Sequence, residues 1–335
     1  VSVQSMCSTD TRDVRATLEE ITRLEAAGCE MVRVAVPDAE AAQALADICR
    51  ASPMPIVADI HYDYRLALSA MRAGVHKIRI NPGNMRDEDG LRSVVEMARQ
   101  RLIPIRVGVN AGSLSKDQIE RYGGVNAEAL AASAIMACRA LEQLNFYDIV
   151  VSAKASSPAL MIATYRLLAE ACDYPLHLGV TEAGTPAEGV VRSAVGIGTL
   201  LAEGIGDTIR VSLTADPVEE VHAAYAILEA LSLRSRHATL ISCPTCGRTE
   251  VPLIEIAEQV EARLRAIDVP LRVAVMGCAV NGPGEAREAD VGIAGGRDAF
   301  ALFRDGQVIR SVPADEAVDA LMAEVRAIAD ERKRS

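Results

Sequence analysis

The chain has 335 residues, enough for two domains of ordinary size, and half of them are hydrophobic, so a large core can form. A net charge of −11, the absence of tryptophan and an aromatic content of 3% argue against a nucleic-acid-binding surface and against contact with an acidic membrane. No apolar run approaches the ~20 residues that cross a bilayer, and the first residues lack the pattern of a secretory signal, so we expect a cytoplasmic protein.

Eight short apolar runs rich in β-branched residues recur between Val1 and Leu213, and stretches with helical periodicity separate them. In the first of these stretches, apolar residues from Val14 to Leu24 repeat at helical spacing and Gly28 lies near the expected C-terminal cap. The alternation predicts parallel strands with crossover helices, and eight repeats predict a closed (β/α)8 TIM barrel. The alternative is an open doubly wound sheet, but no glycine-rich dinucleotide turn follows the early strands.

A polar, basic segment at 232–238 is predicted to link two domains, which we place at 1–233 and 238–335. The second is predicted to be a smaller α/β (α+β) domain. Its elements are expected to be a strand leading into Cys243, a helix around 250–266, a strand over 271–277, the loop NGPGE, a strand DVGIAGG, a hairpin through Asp305 and Gly306, and a final helix from about 314.

Charged side chains lie within or just after most of the barrel strands. Residues two apart on a strand share a face, which pairs Asp59 with His61, and carboxyl strand ends form the active-site rim of a barrel. Guanidinium groups match phosphate oxygens, whereas buried unpaired cations are costly, so we predict an anion site. In the alternative, each cation pairs with a helix carboxylate or reaches solvent. The cations are Arg33, Arg79, Arg106, Lys154 and Arg210.

Glu182, in the stretch GVTEAG, is the acid among these cations. Positive neighbours lower the pKa of a carboxylate, so an ionised group that handles protons or binds a substrate hydroxyl is expected here. A structural salt bridge is the alternative.

Cys243 and Cys246 form a C-x-x-C pair, and Cys278 follows a later strand and opens a glycine-rich loop that ends in Glu285. The spacing leaves three interpretations open: an iron–sulfur cluster with an exchangeable fourth ligand, a structural zinc site, or thiol redox chemistry. Four further cysteines lie on helical patterns and are expected to be small core residues; they are Cys29, Cys49, Cys138 and Cys172.

Motifs along nearly the whole chain carry a resemblance to a known family. They are VQSM, VADIHYDYRLAL, IRINPGN, IRVGVNAGSL, LHLGVTEAG, EGIGDTIRVSLTADPVEEV, CPTCGR and GCAVNGPGEAREADVGIAGG. The chain resembles the bacterial two-domain 4-hydroxy-3-methylbut-2-enyl diphosphate synthases of the non-mevalonate isoprenoid pathway. The resemblance implies a (β/α)8 barrel joined to a 4Fe–4S cluster domain. It also implies two-electron reduction of 2-C-methyl-D-erythritol 2,4-cyclodiphosphate with loss of water.

The resemblance also implies roles for individual residues. Cys243, Cys246 and Cys278 would be cluster ligands, Glu285 would be the fourth ligand until a substrate oxygen replaces it, and Glu182 would be the essential acid. The residues that match the diphosphate pocket are Arg33, Arg79, Arg106, Asn110, Lys154, Arg210 and Ser212, with His61 on the same rim.

Further implications of the resemblance are flavodoxin or ferredoxin as electron donor and a homodimer in which one subunit's cluster domain closes over its partner's barrel. Members usually have residues before VQSM that this chain lacks, so an incomplete barrel floor is expected. Cys7 stands where the family more often has a polar residue, and we interpret it as a harmless substitution rather than a redox-active thiol.

Two competing functions follow from the residues. A barrel phosphosugar lyase or aldolase with a structural zinc domain would form a Schiff base on Lys154. An iron–sulfur electron carrier without catalytic activity would have no use for the cationic rim.

Overall fold

The computed structural model describes residues 1–81, 88–278, 289–296 and 299–334. The chain divides into two compact units, Val1–Arg234 and Ser235–Ser335. Within the described ranges, no helix combines the length and apolar character needed to cross a bilayer.

The first unit is built around eight parallel strands. They pair in the order β6-β5-β4-β3-β2-β1-β8-β7, and a bridge between Val151 and Leu176 connects β6 to the residue just before β7. The barrel is therefore nearly closed, which confirms the predicted (β/α)8 architecture and excludes the open doubly wound sheet. The strands are β1 (Ser2–Met6), β2 (Met31–Ala35), β3 (Ile56–Asp59), β4 (Lys77–Ile80), β5 (Ile105–Asn110), β6 (Ile149–Lys154), β7 (His177–Leu178) and β8 (Thr208–Ile209).

Helices alternate with these strands, and their ends follow local sequence signals. Asp13 and Asp38 cap the first two helices by accepting hydrogen bonds from backbone N–H groups. Gly28 has a φ of 100° just after the first helix, as predicted. The helices are α1 (Val14–Ala26), α2 (Ala39–Ala51), α3 (Tyr64–Ala73), α4 (Glu88–Arg101), α5 (Lys116–Arg121), α6 (Ala127–Glu142), α7 (Pro158–Ala171), α8 (Pro186–Ala202) and α9 (Pro217–Ala230).

The apolar core of this unit includes the buried faces of the strands and helices, represented by Ile21 and Ile78. The barrel interior is different, because it contains buried polar side chains. Arg106 on β5 donates to Gln4 on β1 at 3.2 Å. These strands are not neighbours in the sheet, so the bond crosses the interior. An interior this polar is unusual, since branched apolar residues normally fill such barrels.

The second unit is a five-stranded sheet with two described helices. β9 (Ala238–Ser242), β10 (Leu271–Met276) and β11 (Val291–Gly295) are parallel, and the antiparallel hairpin of β12 (Ala299–Arg304) and β13 (Gln307–Pro313) follows. The helices are α10 (Leu253–Leu264) and α11 (Ala317–Arg334).

The hairpin was predicted correctly, and its turn residues have positive φ values of 49° at Asp305 and 75° at Gly306. Helix α10 begins later than predicted because Pro252 occupies the N-cap position. The predicted loop NGPGE lies in 279–288, outside the described residues.

Candidate active site

A cavity of about 250 Å³ opens at the carboxyl ends of the barrel strands. The structure brings seven predicted site residues to it, namely Arg33, His61, Arg79, Asn110, Lys154, Arg210 and Ser212. Asp59, Ser152 and Thr181 also line it. The carboxyl-terminal parts of successive strands, and the residues just after them, therefore place these side chains around one space, as parallel strands in a barrel require.

Asp59 lies between two arginines. Its carboxylate is 3.0 Å from Arg79 Nη1 and 3.6 Å from Arg33 Nε. Burial alone would raise the pKa of Asp59, but the hydrogen bond from His61 and the charges of both arginines lower it well below the ordinary value. Burial and the neighbouring arginines lower the pKa of Arg33 to about 10, against the opposing charge of Asp59.

Arg210 has a carboxylate partner from a helix. Its Nε and Nη2 donate to Glu220 on α9 at 3.1 and 2.9 Å. Glu220 is 3% exposed and also accepts from Ser5 Oγ and from the backbone N–H of Leu213. The predicted alternative of helix carboxylates as partners is thus correct for Arg210. The role of Glu220 as a partner was not predicted, because a glutamate in the first turn of a helix is usually solvated.

Lys154 has a neutral partner, His177, which sequence analysis also missed. Its Nζ lies 3.2 Å from His177 Nε2. Burial and the surrounding arginines lower the pKa of Lys154 well below its ordinary value. His177 lies on β7 in the same alternation as the other inward-facing residues, so the period-two rule could have found it.

Arg106 does not line the cavity. It is 1% exposed and four residues nearer the start of β5 than Asn110, a distance of ~13 Å along the strand. Its Nε and Nη2 have no hydrogen-bond partner among the residues that the structure describes. Burial and the charge of Arg33 lower its pKa well below the ordinary value.

Two glycines leave room for the cavity cations. A Cβ at Gly108 would lie 2.1 Å from Arg79 Nε, and one at Gly179 would lie 2.7 Å from Lys154 Nζ. A larger residue at Gly108 would displace the Arg79 guanidinium, and one at Gly179 would press on both Lys154 and the backbone oxygen of Arg210, which lies 2.6 Å from the added Cβ. The site therefore depends on a glycine within β5 and on another just after β7.

The charges of the site do not cancel. Counted at formal charge, five basic side chains including Arg106 accompany the two carboxylates of Asp59 and Glu220, which leaves three positive charges in excess. A cluster with this excess favours a multiply charged anion. This is the main electrostatic property of the barrel.

Glu182 does not line the cavity. It is exposed on the segment between β7 and α8 and has a φ of 53°, which is rare for a residue other than glycine. The structural salt bridge considered as an alternative is not present among the described residues. Strained conformations of this kind cost about 1–3 kcal/mol and cluster at functional sites.

The cysteines of the second unit lie at the carboxyl ends of neighbouring parallel strands. Cys243 follows β9 directly, and Cys278 follows β10 by two residues. The two strands are in register near these ends, where Ser242 of β9 pairs with Val275 of β10. The backbone N–H of Gly277 donates to Cys243 Sγ at 3.2 Å. Cys246 is exposed, and hydrogen bonds from Arg248 lower its pKa.

Among the described residues, the predicted metal donors of this region are the three thiols. His237, the only histidine of the unit, precedes β9 whereas Cys243 follows it, so ~20 Å of strand separates them. Glu285 lies outside the described residues. Within the described ranges, no three potential ligands are grouped closely enough to hold a metal ion.

The remaining cysteines belong to the core of the first unit, as predicted. Cys29 and Cys138 are buried, and Cys49 and Cys172 pack against the same core. Burial raises the pKa of Cys29 to about 11 and that of Cys138 to about 12. Burial also raises the pKa of Cys7, which agrees with an unreactive thiol there.

A nearly closed barrel with a cationic cavity at its carboxyl rim defines the chain as a TIM-barrel protein. The chain belongs to the GcpE family: the GcpE TIM-barrel domain matches residues 1–225 and the GcpE protein C-terminal domain matches residues 239–327. The family resemblance seen in the motifs is therefore confirmed.

Relatives in several bacteria are similar to the chain over nearly its whole length. One from Geobacter sulfurreducens is 57% identical, covering 99% of this chain and 94% of the relative. One from Ruminiclostridium cellulolyticum is 55% identical, covering 97% and 92%. Both are named 4-hydroxy-3-methylbut-2-en-1-yl diphosphate synthase (flavodoxin).

These matches identify the chain as an enzyme and do not support the lyase with a zinc domain or the electron carrier. Among solved structures, a dihydropteroate synthase from Coxiella burnetii matches with a TM-score of 0.49 and 11% identity, over 70% of this chain and 94% of that one. That similarity is too distant to bear on function.

Proposed function

We propose that the chain converts 2-C-methyl-D-erythritol 2,4-cyclodiphosphate to (E)-4-hydroxy-3-methylbut-2-enyl diphosphate in the non-mevalonate isoprenoid pathway. The substrate takes up two electrons and two protons, its ring opens, and one water leaves. The main support is the cavity with its excess of three positive charges, which suits a ring that carries two phosphates. The names of the relatives support the same reaction.

The cavity residues bind and orient the diphosphate. Arg33 and Arg79 share one carboxylate, so each has hydrogens left for phosphate oxygens. A hydrogen bond to a charged group is worth about 1.5–3 kcal/mol, and several of them would hold the ring in one orientation. Asn110 and Ser212 supply neutral hydrogen bonds at the same rim.

Arg106 is proposed as a fixed positive charge beneath the cavity rather than as a surface contact. Two of its nitrogens have no partner among the described residues, and a buried charged group without partners is unfavourable. An anion above it would offset part of this cost. Glu182, which is exposed and has no ion-pair partner among the described residues, is proposed to hold or deliver a proton at a substrate oxygen.

Cys243, Cys246 and Cys278 are proposed to hold a 4Fe–4S cluster, with Glu285 as the fourth ligand. A structural zinc site takes four protein ligands, and the donor set offers three thiols with the histidine far away. The N–H of Gly277 at Cys243 Sγ is the kind of hydrogen bond that tunes such clusters. When bound, the cluster would supply the two electrons one at a time.

The electron donor is proposed to be flavodoxin, as the names of the relatives suggest, or a ferredoxin. We also propose a homodimer, domain limits of 1–233 and 238–335, and a cytoplasmic location. The free cysteines suit a reducing compartment, and size-exclusion chromatography with light scattering tests the dimer.

The test of this function is turnover by anaerobically purified protein with reduced flavodoxin and the cyclic diphosphate. We expect iron and sulfide in equal amounts and formation of the linear diphosphate. A preparation that contains zinc without iron, or one that leaves the ring intact despite a full complement of iron, would contradict the proposal.

A further inference from the structure

Lys154 differs from the other cations that line the cavity in the nature of its partner. Arg33 and Arg79 face Asp59, and Arg210 faces Glu220, so carboxylates offset their charges. Lys154 Nζ instead lies 3.2 Å from His177 Nε2, its one hydrogen-bond partner among the described residues. A bound anion favours the protonated lysine, and an ammonium group has only hydrogens to give, so in the ligand-bound state Nε2 presents its lone pair.

The imidazole of His177 is itself held from the other side. Its Nδ1 lies 2.7 Å from Thr208 Oγ1, and its backbone oxygen accepts from the buried hydroxyl of Tyr165. When Nε2 accepts from the protonated lysine, Nδ1 carries the hydrogen of the neutral ring and donates it to Thr208. Two contacts on opposite edges of the ring thus select one tautomer and one orientation.

The surroundings keep this imidazole neutral. Burial and the charges of Arg106 and Lys154 lower the pKa of His177 well below its ordinary value. A proton on Nε2 would also remove the acceptor for Lys154. The lysine charge therefore faces a group that orients it and does not cancel it.

Gly179 provides the space for this arrangement. A Cβ there would lie 2.7 Å from Lys154 Nζ and 3.2 Å from Lys154 Cε. The side chain at 177 on β7 thus supplies the partner, and the residue just after β7 supplies the room, since residues two apart along an extended chain face the same side.

We propose that His177 is a positioning residue for substrate binding: its neutral imidazole, held by Thr208, keeps Lys154 Nζ at the cavity without a carboxylate to offset the charge that Lys154 carries when an anion binds. The inference rests on the proposed function, since it takes the cyclic diphosphate as the ligand of Lys154. A carboxylate at 177 would neutralise the lysine, and an apolar residue would leave a buried ammonium without an acceptor.

The test is a double-mutant cycle on the full chain, with affinities for the cyclic diphosphate and for inorganic pyrophosphate measured by titration calorimetry. His177→Leu should weaken binding about tenfold, the size of one lost charge-assisted contact. In a Lys154→Met background, where the ammonium is absent, His177→Leu should add nothing. Equal weakening in both backgrounds would overturn the proposal, because it would show that His177 acts only on the fold.

His177→Gln is the conservative control. Its amide oxygen can accept from Lys154 while its NH2 donates to Thr208, so affinity should stay within about threefold of the wild type. If His177→Leu does not fold, Thr208→Val is the substitute, because it removes the hydroxyl that fixes the ring. It should weaken binding in the wild type and leave the Lys154→Met protein unaffected, whereas equal effects in both would contradict the proposal.

The two ligands separate this inference from the proposed function. If wild-type protein binds pyrophosphate but not the cyclic diphosphate, the proposed substrate is wrong. The mutant cycle measured with pyrophosphate then still tests the role of His177. Normal affinity in Lys154→Met would remove both lysine and histidine from the site. Weak binding by Lys154→Met with normal binding by a folded His177→Leu would overturn the role of His177 alone.

Discussion

Asp59 pairs with two arginines, and its removal should destabilise the protein because the two positive charges would then repel each other without a carboxylate between them. Its side chain is 5% exposed and contacts both Arg33 and Arg79. Breaking a buried ion pair from one side typically costs about 3–5 kcal/mol. We therefore expect Asp59→Asn to lower the melting temperature, and to gain more stability than the wild type when pyrophosphate is added. An equal ligand-induced gain in both proteins would contradict this account of the site.

The same carboxylate predicts a pH dependence with a definite sign. Contacts in the folded protein lower the pKa of Asp59 from its ordinary 3.8. A lowered folded pKa stabilises the protein above the unfolded value, and this contribution is lost as pH falls toward the folded value. Below pH 4, stability measured by urea unfolding should therefore fall more steeply in the wild type than in Asp59→Asn. Parallel slopes would show that Asp59 is not ion-paired in solution.

Arg210 is a test of the phosphate contacts. Arg210→Ala should lower affinity for the cyclic diphosphate about 10- to 100-fold, because a charge-assisted hydrogen bond is lost. The matched control is Arg166→Ala, which removes a surface ion pair with Glu203 away from the cavity and should bind normally. Titration calorimetry compares the two, and similar affinities would remove Arg210 from the site.

Single site residues could be predicted where a charged side chain stands in an otherwise apolar strand. Arginines within apolar strands are rare, so the cationic rim could be found from the pattern alone. Glu220 and Gln4 could not, because glutamate in a helix and glutamine in a strand usually face solvent. Nor could the depth of Arg106, since the sequence does not say how far each strand extends past the barrel floor.

At the scale of elements, strand positions were predicted better than strand lengths. The runs at 175–180 and 208–213 form only the two-residue strands β7 and β8. Pro175 has no N–H to donate to a neighbouring strand, and Gly179 has no side chain to pack. One backbone bond, from the N–H of Arg210 just after β8 to the oxygen of Leu178 at the end of β7, continues the ladder one residue beyond β8.

β5 offers a direct test of whether the strands shape the cavity. Gly108→Ala would place a methyl group 2.1 Å from Arg79 Nε and displace the guanidinium. We expect affinity for pyrophosphate to fall by at least about tenfold, comparable with a lost phosphate contact. Gly112→Ala, where nothing lies within 4 Å of the added carbon, is the control and should bind normally. Equal affinities would show that Arg79 does not need this space.

For the whole molecule, two properties of the chain were evident from its sequence: a division into two parts and a concentration of charge on one of them. The eight strand–helix repeats in the sequence predicted the barrel, because few other folds accommodate eight such units. The cysteine spacing alone left iron–sulfur, zinc and thiol chemistry open. The motif resemblance, rather than geometry, distinguished among them, because ligand distances cannot be deduced from spacing in a chain.

The central claim is that the cationic cavity and the three thiols act on one substrate. It is tested most directly by electron paramagnetic resonance of the anaerobically reduced protein, with and without the cyclic diphosphate. We expect the spectrum of a reduced 4Fe–4S cluster that changes when the cyclic diphosphate is added, and no signal in Cys278→Ser. A reduced protein that binds the cyclic diphosphate with no change in its spectrum, or that has no cluster signal and still forms the product, would contradict the account.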